Sequence, residues 1–423
     1  MTLYSLLNRL IIATILSSSI SHAKDFQTVK PEDVGVSSER LKNVEALATT
    51  YIDKKMYSGI VTLLARDGKI VHQQAVGNFG TDNDKALEVD SLFRIYSMTK
   101  PITAAAAMIL YEQGKFHLDD PISKFLPQFK QQKVLLNGTL KDPTQPVTIR
   151  HLLTHTAGLT YGWTQDNPVD VQYAEADLLN SDNLDEFIQE LSQIPLRFEP
   201  GTRYHYSVAF DVLGAIIEKL SGMPLDQFFE QKIFLPLGMQ DTFFEVPEDQ
   251  LHRLVDDQTW DYQENKNRTV SPENQRSFSS VSMFLGGGGL VSTVQDYLRF
   301  SQMILNQGEF NGTRILSPKT IELMSSDHLS DKVRAEGVGE YPVQDLYNGQ
   351  SMGFGYGVVT NASTMPDLSS IGELSWGGFA GTKFWIDPQE KLIGIALVQQ
   401  YQSPWTLRSD LKTAVYQALQ ELR

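Results

Sequence analysis

Two β-hairpin signals near opposite ends of the 423-residue chain constrain its fold more than any other feature. Residues 59–65 and 69–76 have the apolar character of paired strands around the tight-turn dipeptide Asp67-Gly68. Residues 382–386 and 392–399 form a second such pair around a short polar turn. Helical patterns and polar loops fill the sequence between them. We therefore expect an α+β fold with one antiparallel sheet, built from N- and C-terminal segments and flanked by helices.

The same arrangement predicts two domains. Residues 24–117 and 285–423 would form the sheet domain, and residues 118–284 would form a mainly helical domain. A cleft between two such bodies is a common place for a small-molecule site. We therefore look for chemistry where the two predicted domains meet.

The N-terminus predicts export. Arg9 is followed by an apolar run over residues 10–16, and the small residues Ser21 and Ala23 suit a signal-peptide cleavage site. We expect a signal peptide over residues 1–23 and no stable membrane insertion after its removal, because the apolar run is too short to span a bilayer. The chain contains no cysteine, which excludes disulfides and a cysteine nucleophile and favours a bacterial periplasmic or secreted protein.

Net charge restricts the partners of the chain. The formal net charge is −15 at pH 7, and such a surface repels nucleic acid and anionic lipid. We therefore expect a small-molecule substrate and no nucleic-acid partner.

The strongest chemical signal is Ser97-Met98-Thr99-Lys100. The motif follows the apolar residues 92–96 and opens an alanine-rich segment that predicts a helix over 97–113. A lysine three residues after a serine lies on the same helix face, where it can stabilise the alkoxide or accept the proton. The alternative is that Ser97 only caps the helix.

Spacing alone does not select this serine, because Ser-x-x-Lys occurs three times. Ser21 and Lys24 straddle the predicted cleavage site. Ser409 and Lys412 are expected on an exposed stretch of the C-terminal helix. Only Ser97 stands at a predicted helix start after a strand-like segment.

Residues 93–100, Phe-Arg-Ile-Tyr-Ser-Met-Thr-Lys, resemble the nucleophile motif of the serine β-lactamase and penicillin-recognising superfamily. The resemblance is closest to class C β-lactamases and family VIII carboxylesterases. Residues 148–159, 286–293 and 353–357 resemble further recurrent segments of the superfamily in the same order. The resemblance covers nearly the whole mature chain. It implies a β-lactamase/DD-peptidase-like fold and an acyl-enzyme mechanism that needs no metal and no cofactor.

The resemblance also indicates a candidate catalytic tyrosine. In residues 200–207, Tyr206 matches the family tyrosine whose phenol approaches the serine and the lysine. A phenol beside an ammonium can move a proton to the leaving group. The alternative is that Tyr206 is a core aromatic and Tyr204 is the active one.

Residues 375–379, Ser-Trp-Gly-Gly-Phe, match the position where lactamases carry Lys-Thr-Gly and the esterase relatives carry Trp-Gly-Gly. The resemblance implies that Trp376, Gly377 and Gly378 contact the substrate. It also implies that the N–H groups of Ser97 and Phe379 form an oxyanion hole. The alternative is a tight bend at a strand start.

Two departures from the family bear on substrate. Val208 replaces an asparagine that binds the acyl amide, and Trp376 replaces the residue that attracts a substrate carboxylate. A neutral ester needs neither group, so we expect a carboxylesterase for short acyl chains. Aromatic residues such as Tyr161, Trp163 and Phe284 are candidates for an acyl pocket, with core packing as the alternative.

Several alternatives remain open. A β-lactamase or D-Ala-D-Ala carboxypeptidase could use the same scaffold, and water or another alcohol could accept the acyl group. A non-catalytic binder of cell-wall fragments would keep the fold without the chemistry. The lactamase or carboxypeptidase alternative would act on an amide, and the binder would hold a cell-wall fragment as its ligand.

Three other motifs carry less weight. Ser351 lies in a Gly-x-Ser-x-Gly pattern but lacks the strand-turn-helix context of a nucleophile elbow. His151 and His155 share a helical spacing without a third metal ligand, so we interpret them as structural. Glycines 286–289 lack the Lys-Ser/Thr of a phosphate loop and are interpreted as a turn.

Overall fold

The structure is a computed structural model that describes residues 26–164, 167–271, 277–335, 346 and 348–423. The predicted signal peptide, residues 1–23, lies outside the described residues. The helices are α1 Ser38–Asp53, α2 Thr99–Glu112, α3 Ile149–Leu153, α4 Pro168–Ala176, α5 Leu184–Leu191, α6 Ala209–Ser221, α7 Leu225–Phe229, α8 Leu235–Leu237, α9 Val294–Leu305, α10 Pro318–Met324, α11 Asp331–Ala335 and α12 Leu407–Tyr416.

The strands are β1 Gly59–Arg66, β2 Lys69–Gly80, β3 Asn83–Ala86, β4 Phe93–Arg94, β5 Val134–Leu136, β6 Thr139–Lys141, β7 Gln258–Asp261, β8 Lys266–Thr269, β9 Val291–Ser292, β10 Glu309–Phe310, β11 Thr313–Arg314, β12 Gln350–Met352, β13 Gly357–Val359, β14 Leu374–Gly377, β15 Lys383–Asp387, β16 Leu392–Leu397 and β17 Gln400–Tyr401.

The two predicted hairpins lie side by side in one sheet. Its strands follow the order β12-β13-β14-β15-β16-β1-β2-β3, and the described pairs of neighbours are antiparallel. Strand β1 pairs with β16 in a register that sets Val61 opposite Leu397 and Arg66 opposite Leu392. The predicted antiparallel sheet built from both chain ends is therefore confirmed.

Helices cover both faces of the sheet, which explains why β1 is apolar at nearly every position. Ile60 and Leu64 point to one face, where they join a core cluster with residues of α1 and α12 such as Leu41 and Leu411. The alternate residue Leu63 belongs to the larger cluster on the other face, which includes α2 and α9. The strand is buried along its length because both of its faces pack against helices.

Helix α2 runs through the larger core. Every residue from Thr99 to Leu110 is buried, and the helix packs against α6. The four alanines at 104–107 allow this close approach because they carry only a methyl group. The N-terminal end of α2, and the predicted nucleophile with it, is thereby held in the interior beside β14.

The stretch between the two hairpins is not helical throughout. Strands β7 and β8 form a hairpin, and β7 pairs in parallel with β17 near the C-terminus. The division into 24–117 with 285–423, and 118–284, stays a prediction. Within the described residues, no helix combines the length and the apolar character needed to cross a bilayer.

The expectation that Ser409 and Lys412 lie on an exposed stretch of the last helix is wrong for the lysine. Lys412 is only 3% exposed, and its ammonium pairs with Glu373 at 2.6 Å and with Asp367 at 3.1 Å. Helix α12 packs on the sheet, and the carboxylates that face it come from the segment before β14. Sequence spacing within the helix could not reveal these partners.

Candidate active site

Ser97 lies in a 3₁₀ turn that immediately precedes α2. The turn spans Tyr96–Met98, so the helix begins two residues after the predicted start at Ser97. Tyr96 has a φ of 44°, a left-handed conformation that is uncommon for a residue with a bulky side chain. The turn is held by Tyr297, whose hydroxyl donates to the Met98 carbonyl at 2.9 Å. Such local strain, braced by its surroundings, is typical of functional sites.

Lys100 places its ammonium beside the serine. The residue is fully buried, and its Nζ donates to Ser97 Oγ at 3.2 Å, to the Tyr161 hydroxyl at 3.1 Å and to the Gly287 carbonyl at 2.6 Å. A lysine side chain with several acceptors around it is held in one position. The predicted serine and lysine are therefore in direct contact.

Two tyrosines surround the lysine. The ring of Tyr206 lies 4.5 Å from Lys100 Nζ, and both Tyr206 and Ser97 line the same cavity. Tyr161 contacts the ammonium through its hydroxyl, a role that the sequence did not assign to it. Tyr204, the alternative to Tyr206, is buried edge-on against His155 at 6.0 Å and does not line that cavity.

His155 lies beneath Tyr206. Its ring centroid is 4.6 Å from that of Tyr206, and its Nδ1 lies 3.4 Å from Ser207 Oγ. Burial, together with the nearby charge of Lys100, lowers the pKa of His155 well below its usual value. A neutral imidazole at this place supports the tyrosine without adding a second positive charge next to Lys100.

A buried carboxylate fixes the backbone that receives Lys100. Asp211, on α6, accepts a hydrogen bond from the Gly287 N–H at 2.8 Å, and the Gly287 carbonyl accepts from Lys100. A β-carbon at position 287 would lie 2.6 Å from the Asp211 carboxylate. Glycine is needed there for close approach, so the predicted turn at 286–289 is also part of the lysine's environment.

The Trp-Gly-Gly segment closes the other side of the serine. Trp376 is the penultimate residue of β14, and its ring lies 5.7 Å from that of Tyr206. A β-carbon on Gly378 would lie 2.5 Å from the carbonyl of Ile95, so glycine brings this turn against the nucleophile turn. Within the described chain, the Phe379 N–H donates to no carbonyl or side chain. It is therefore a free donor close to Ser97.

Arg408 donates hydrogen bonds to the turn that follows β14. Its guanidinium donates to the carbonyl of Gly378 at 2.5 Å and to that of Gly381 at 3.1 Å. The residue belongs to α12, thirty residues further along the chain than Gly378. Nothing in the local sequence around Arg408 signals this role, because the contact exists only in the folded sheet.

Ser97, Tyr206 and the Trp376-Gly377-Gly378 segment line one cavity of about 510 Å³. Tyr161, Trp163 and Phe379 line it near Ser97, which confirms the first two as pocket residues. Phe284, the third aromatic candidate, packs against Phe244 at 5.3 Å and leaves the cavity wall to Leu285.

The cavity is also lined by three cationic side chains. They are those of Lys383, Arg408 and Lys412, and burial together with the other two charges lowers the pKa of Lys383 to about 7. Within the described residues, Lys383 Nζ has no ion pair or hydrogen bond, in contrast to Lys412 with its two carboxylates. The cavity wall therefore combines aromatic and basic side chains.

The other motifs lie outside this centre. Ser351 is buried on strand β12 and donates to Asp327, so it has no nucleophile elbow around it. His151 completes a helix cap by accepting from the Thr148 N–H at 3.2 Å, and burial lowers its pKa to about 4. Among the described residues, no cluster of three metal-ligating side chains occurs.

Comparison with known families gives one match. A family model described as Beta-lactamase matches residues 44–418, which is most of the chain. The matched range includes every predicted site residue.

Comparison with individual proteins gives relatives of similar length. Protein Rv1367c of Mycobacterium tuberculosis is 35% identical over 357 residues, covering 82% of this chain and 87% of its own. Esterase EstB of Burkholderia gladioli is 30% identical over 363 residues, covering 81% and 86%. Among solved structures, EstCE1, described as a hydrolase with promiscuous acyltransferase activity, is 29% identical with a TM-score of 0.77. That match covers 89% of this chain and 99% of EstCE1.

Proposed function

Because this chain belongs to the Beta-lactamase family, whose fold is that of serine hydrolases, we propose that it hydrolyses carboxylic esters through an acyl-enzyme on Ser97. The proposal takes Lys100 and Tyr206 as the groups that move the proton. It takes the N–H groups of Ser97 and Phe379 as the oxyanion hole. Similarity to a named esterase and to a named hydrolase supports the reaction class.

One observation carries the proposal. Lys100 Nζ lies 3.2 Å from Ser97 Oγ at the wall of an accessible cavity. A serine hydroxyl is a weak nucleophile on its own, and a neighbouring amine within hydrogen-bond distance is what activates it. A serine that only capped the helix would have no need of a fully buried lysine.

The proposed chemistry moves one proton out and back in each half of the reaction. It begins with the pair of Lys100 and Tyr206 one proton short, with Lys100 as the neutral amine, so that the pair can accept a proton. As Ser97 Oγ bonds to the ester carbonyl carbon, its proton passes to that pair. The pair returns the proton to the alcohol oxygen as the C–O bond breaks, which leaves the acyl group on Ser97. Water then attacks the acyl carbonyl and gives one proton to the pair, which passes it to Ser97 Oγ as the acid is released. Tyr161, hydrogen-bonded to the same ammonium, holds Lys100 in place during these steps.

Two residues at positions that are polar in penicillin-recognising relatives favour esters over β-lactams. Val208 is buried at the start of α6 and offers no side-chain donor to an acyl amide. Trp376 presents an apolar ring where penicillin-recognising relatives carry a polar group for the substrate carboxylate. Leaving two polar substrate groups unpaired would cost about 1–3 kcal/mol each, so a neutral ester fits better.

Replacement of the nucleophile tests the proposal. We expect Ser97→Ala to lower the hydrolysis of a short-chain nitrophenyl ester by about a thousandfold or more, because the variant lacks the hydroxyl that forms the acyl-enzyme. Ser351→Ala, which removes the serine of the Gly-x-Ser-x-Gly pattern, serves as the control and should retain activity. Near wild-type turnover by Ser97→Ala would refute the assignment.

Substrate comparison separates the alternatives. The mature protein should turn over the nitrophenyl ester much faster than a chromogenic cephalosporin or a D-Ala-D-Ala peptide. The reverse order would favour the lactamase or carboxypeptidase alternative. Absence of turnover and of fluorophosphonate labelling at Ser97 would favour the non-catalytic binder.

We also propose that the protein is exported and that a signal peptide ending at Ala23 is removed. The proposal comes from the sequence pattern of residues 1–23 alone. N-terminal sequencing of protein recovered from the periplasm or the medium should begin at Lys24. An intact N-terminus on exported protein would contradict cleavage.

A further inference from the structure

Exposed apolar side chains gather at the cavity that contains Ser97. Trp163 is 43% exposed, Leu179 39% and Phe379 63%, and all three line this cavity. Large apolar groups left in water are unfavourable, and their grouping at one opening marks a surface that a ligand covers. These exposed apolar side chains therefore indicate that the ligand has an apolar part that packs against them.

Two of these side chains are aromatic rings supported from behind. Trp163 stacks on Tyr161, with 4.6 Å between ring centroids and 8° between planes. Phe379 packs on Tyr401 at 5.3 Å and on Tyr96 at 6.2 Å. Each ring thus has one face or edge packed against a neighbouring tyrosine.

The two supported rings stand nearly parallel to each other. Their centroids are 6.4 Å apart and their planes differ by 22°. Stacked aromatic atoms approach to about 3.5–4.0 Å, so a ring inserted between two others needs a spacing of about 7 Å. The observed spacing is within about 1 Å of that value. Both side chains are exposed on the cavity side, so a small rotation of either ring away from the other widens the gap by this amount.

Because the two rings belong to different segments, a ligand between them would also link those segments. Trp163 lies in the loop that carries Tyr161, and Phe379 lies in the turn that carries the proposed oxyanion N–H. A planar group held between them would bring an ester carbonyl next to Ser97 and that N–H.

We propose that Trp163 and Phe379 are specificity-determining residues that hold a planar aromatic group of the ester substrate between their rings. The inference rests on the proposed ester hydrolysis and narrows its substrate class to aromatic esters. The aromatic group belongs to the acyl part or to the alcohol part, and the experiment distinguishes the two.

Matched pairs of esters test the proposal. Methyl benzoate and methyl cyclohexanecarboxylate differ in the acyl ring, and phenyl acetate and cyclohexyl acetate differ in the alcohol ring. Hydrolysis by wild type, Trp163→Leu and Phe379→Leu is followed by acid release. Leucine keeps the site apolar and removes the planar ring. Tyr262→Leu, at an aromatic residue that is 64% exposed elsewhere, is the matched control.

We call Trp163 and Phe379 together the aromatic clamp. We expect Trp163→Leu and Phe379→Leu each to raise KM for the aromatic member of one pair by about tenfold more than for its cyclohexyl partner. The control should change both members equally. Inhibition of the unmodified enzyme gives an independent measurement, because benzamide should compete with substrate more strongly than cyclohexanecarboxamide. This second measurement does not depend on the variants folding.

The outcomes separate the two proposals. Equal losses for aromatic and cyclohexyl esters, or equal inhibition by the two amides, overturn the clamp while leaving ester hydrolysis intact. A wild-type enzyme that hydrolyses none of the four esters, and no nitrophenyl ester, overturns the proposed function itself.

Discussion

At the scale of single residues, the buried lysines Lys100 and Lys383 have opposite surroundings. Lys100 donates to three oxygens. Lys383 instead feels the positive charges of Lys412 and Arg408. The nearby carboxylates of Glu373 and Asp367 form their ion pairs with Lys412. Burial is the main cause that lowers the pKa of Lys383 to about 7, and the two cations add to it. The residue therefore destabilises the fold when it is charged.

The sign of the pH effect follows from proton binding. Between about pH 7 and pH 10.4, an unfolded chain keeps this lysine protonated while the folded protein releases the proton, so folding gains stability as pH rises. We expect Lys383→Met to raise the free energy of unfolding by about 1–3 kcal/mol at pH 6 and by less at pH 9.

Urea unfolding at the two pH values measures this change. Lys391→Met, at an exposed position of the same hairpin, is the control and should show no such pH dependence. An equal gain from Lys383→Met at pH 6 and pH 9 would mean that packing, not charge, is responsible.

The sequence predicted some single residues better than others. Ser97 and Lys100 share one helical turn, and local spacing was enough to bring them together. Tyr206 required the resemblance to a family, because it lies 109 positions after the serine and the local sequence does not show how the chain returns. Tyr161 was named only as a pocket aromatic, since its hydrogen bond to Lys100 depends on how its loop folds back over α2.

At the scale of elements, the site is built where a strand, a turn and the last helix meet. Strand β14 ends at Gly377, the following turn approaches Ile95, and α12 supplies Arg408 to that turn. The short N–H···O contacts from a guanidinium fix two carbonyls at once, which a lysine ammonium cannot do with the same planar geometry.

Arg408→Lys should therefore loosen the turn without removing a charge. We expect kcat for ester hydrolysis to fall by about tenfold, because misplacement of an oxyanion donor weakens transition-state binding. KM should change less than kcat. The measurement is steady-state kinetics together with thermal unfolding, which should show a small change only.

A matched control exists on a surface hairpin. Arg314 also donates to two backbone carbonyls, those of Gln307 and Leu316, away from the cavity. Arg314→Lys should leave kcat within about twofold of wild type. If both variants lost kcat equally, the effect of Arg408 would be one of general stability rather than of positioning.

Elements with a strong local pattern were predicted, and those that depend on distant partners were not. Both hairpins and α2 have the predicted positions within a few residues. The 3₁₀ turn at Tyr96–Met98 and the parallel pairing of β7 with β17 were not expected. Strand pairing across 140 residues leaves no periodic signal in the sequence of either short strand.

At the scale of the whole molecule, the two chain ends are joined twice. Strands β1 and β16 form the centre of the sheet, and Val36 forms a bridge with Leu419 near the termini. The prediction of one sheet from both ends succeeded because one strand of each hairpin, β1 and β16, is apolar on both faces, which requires these two strands to be covered on both sides. The burial of Lys412 was missed because its partners come from another segment.

The central claim is that Ser97 carries the acyl group during turnover. Intact-mass and peptide mass spectrometry of the mature protein, quenched during reaction with a slowly hydrolysed ester, measures this directly. We predict a gain of one acyl mass, located on the peptide that contains Ser97 and absent from Ser97→Ala. Turnover without any acyl adduct, or with the adduct on Ser351 or Ser409, would contradict the account.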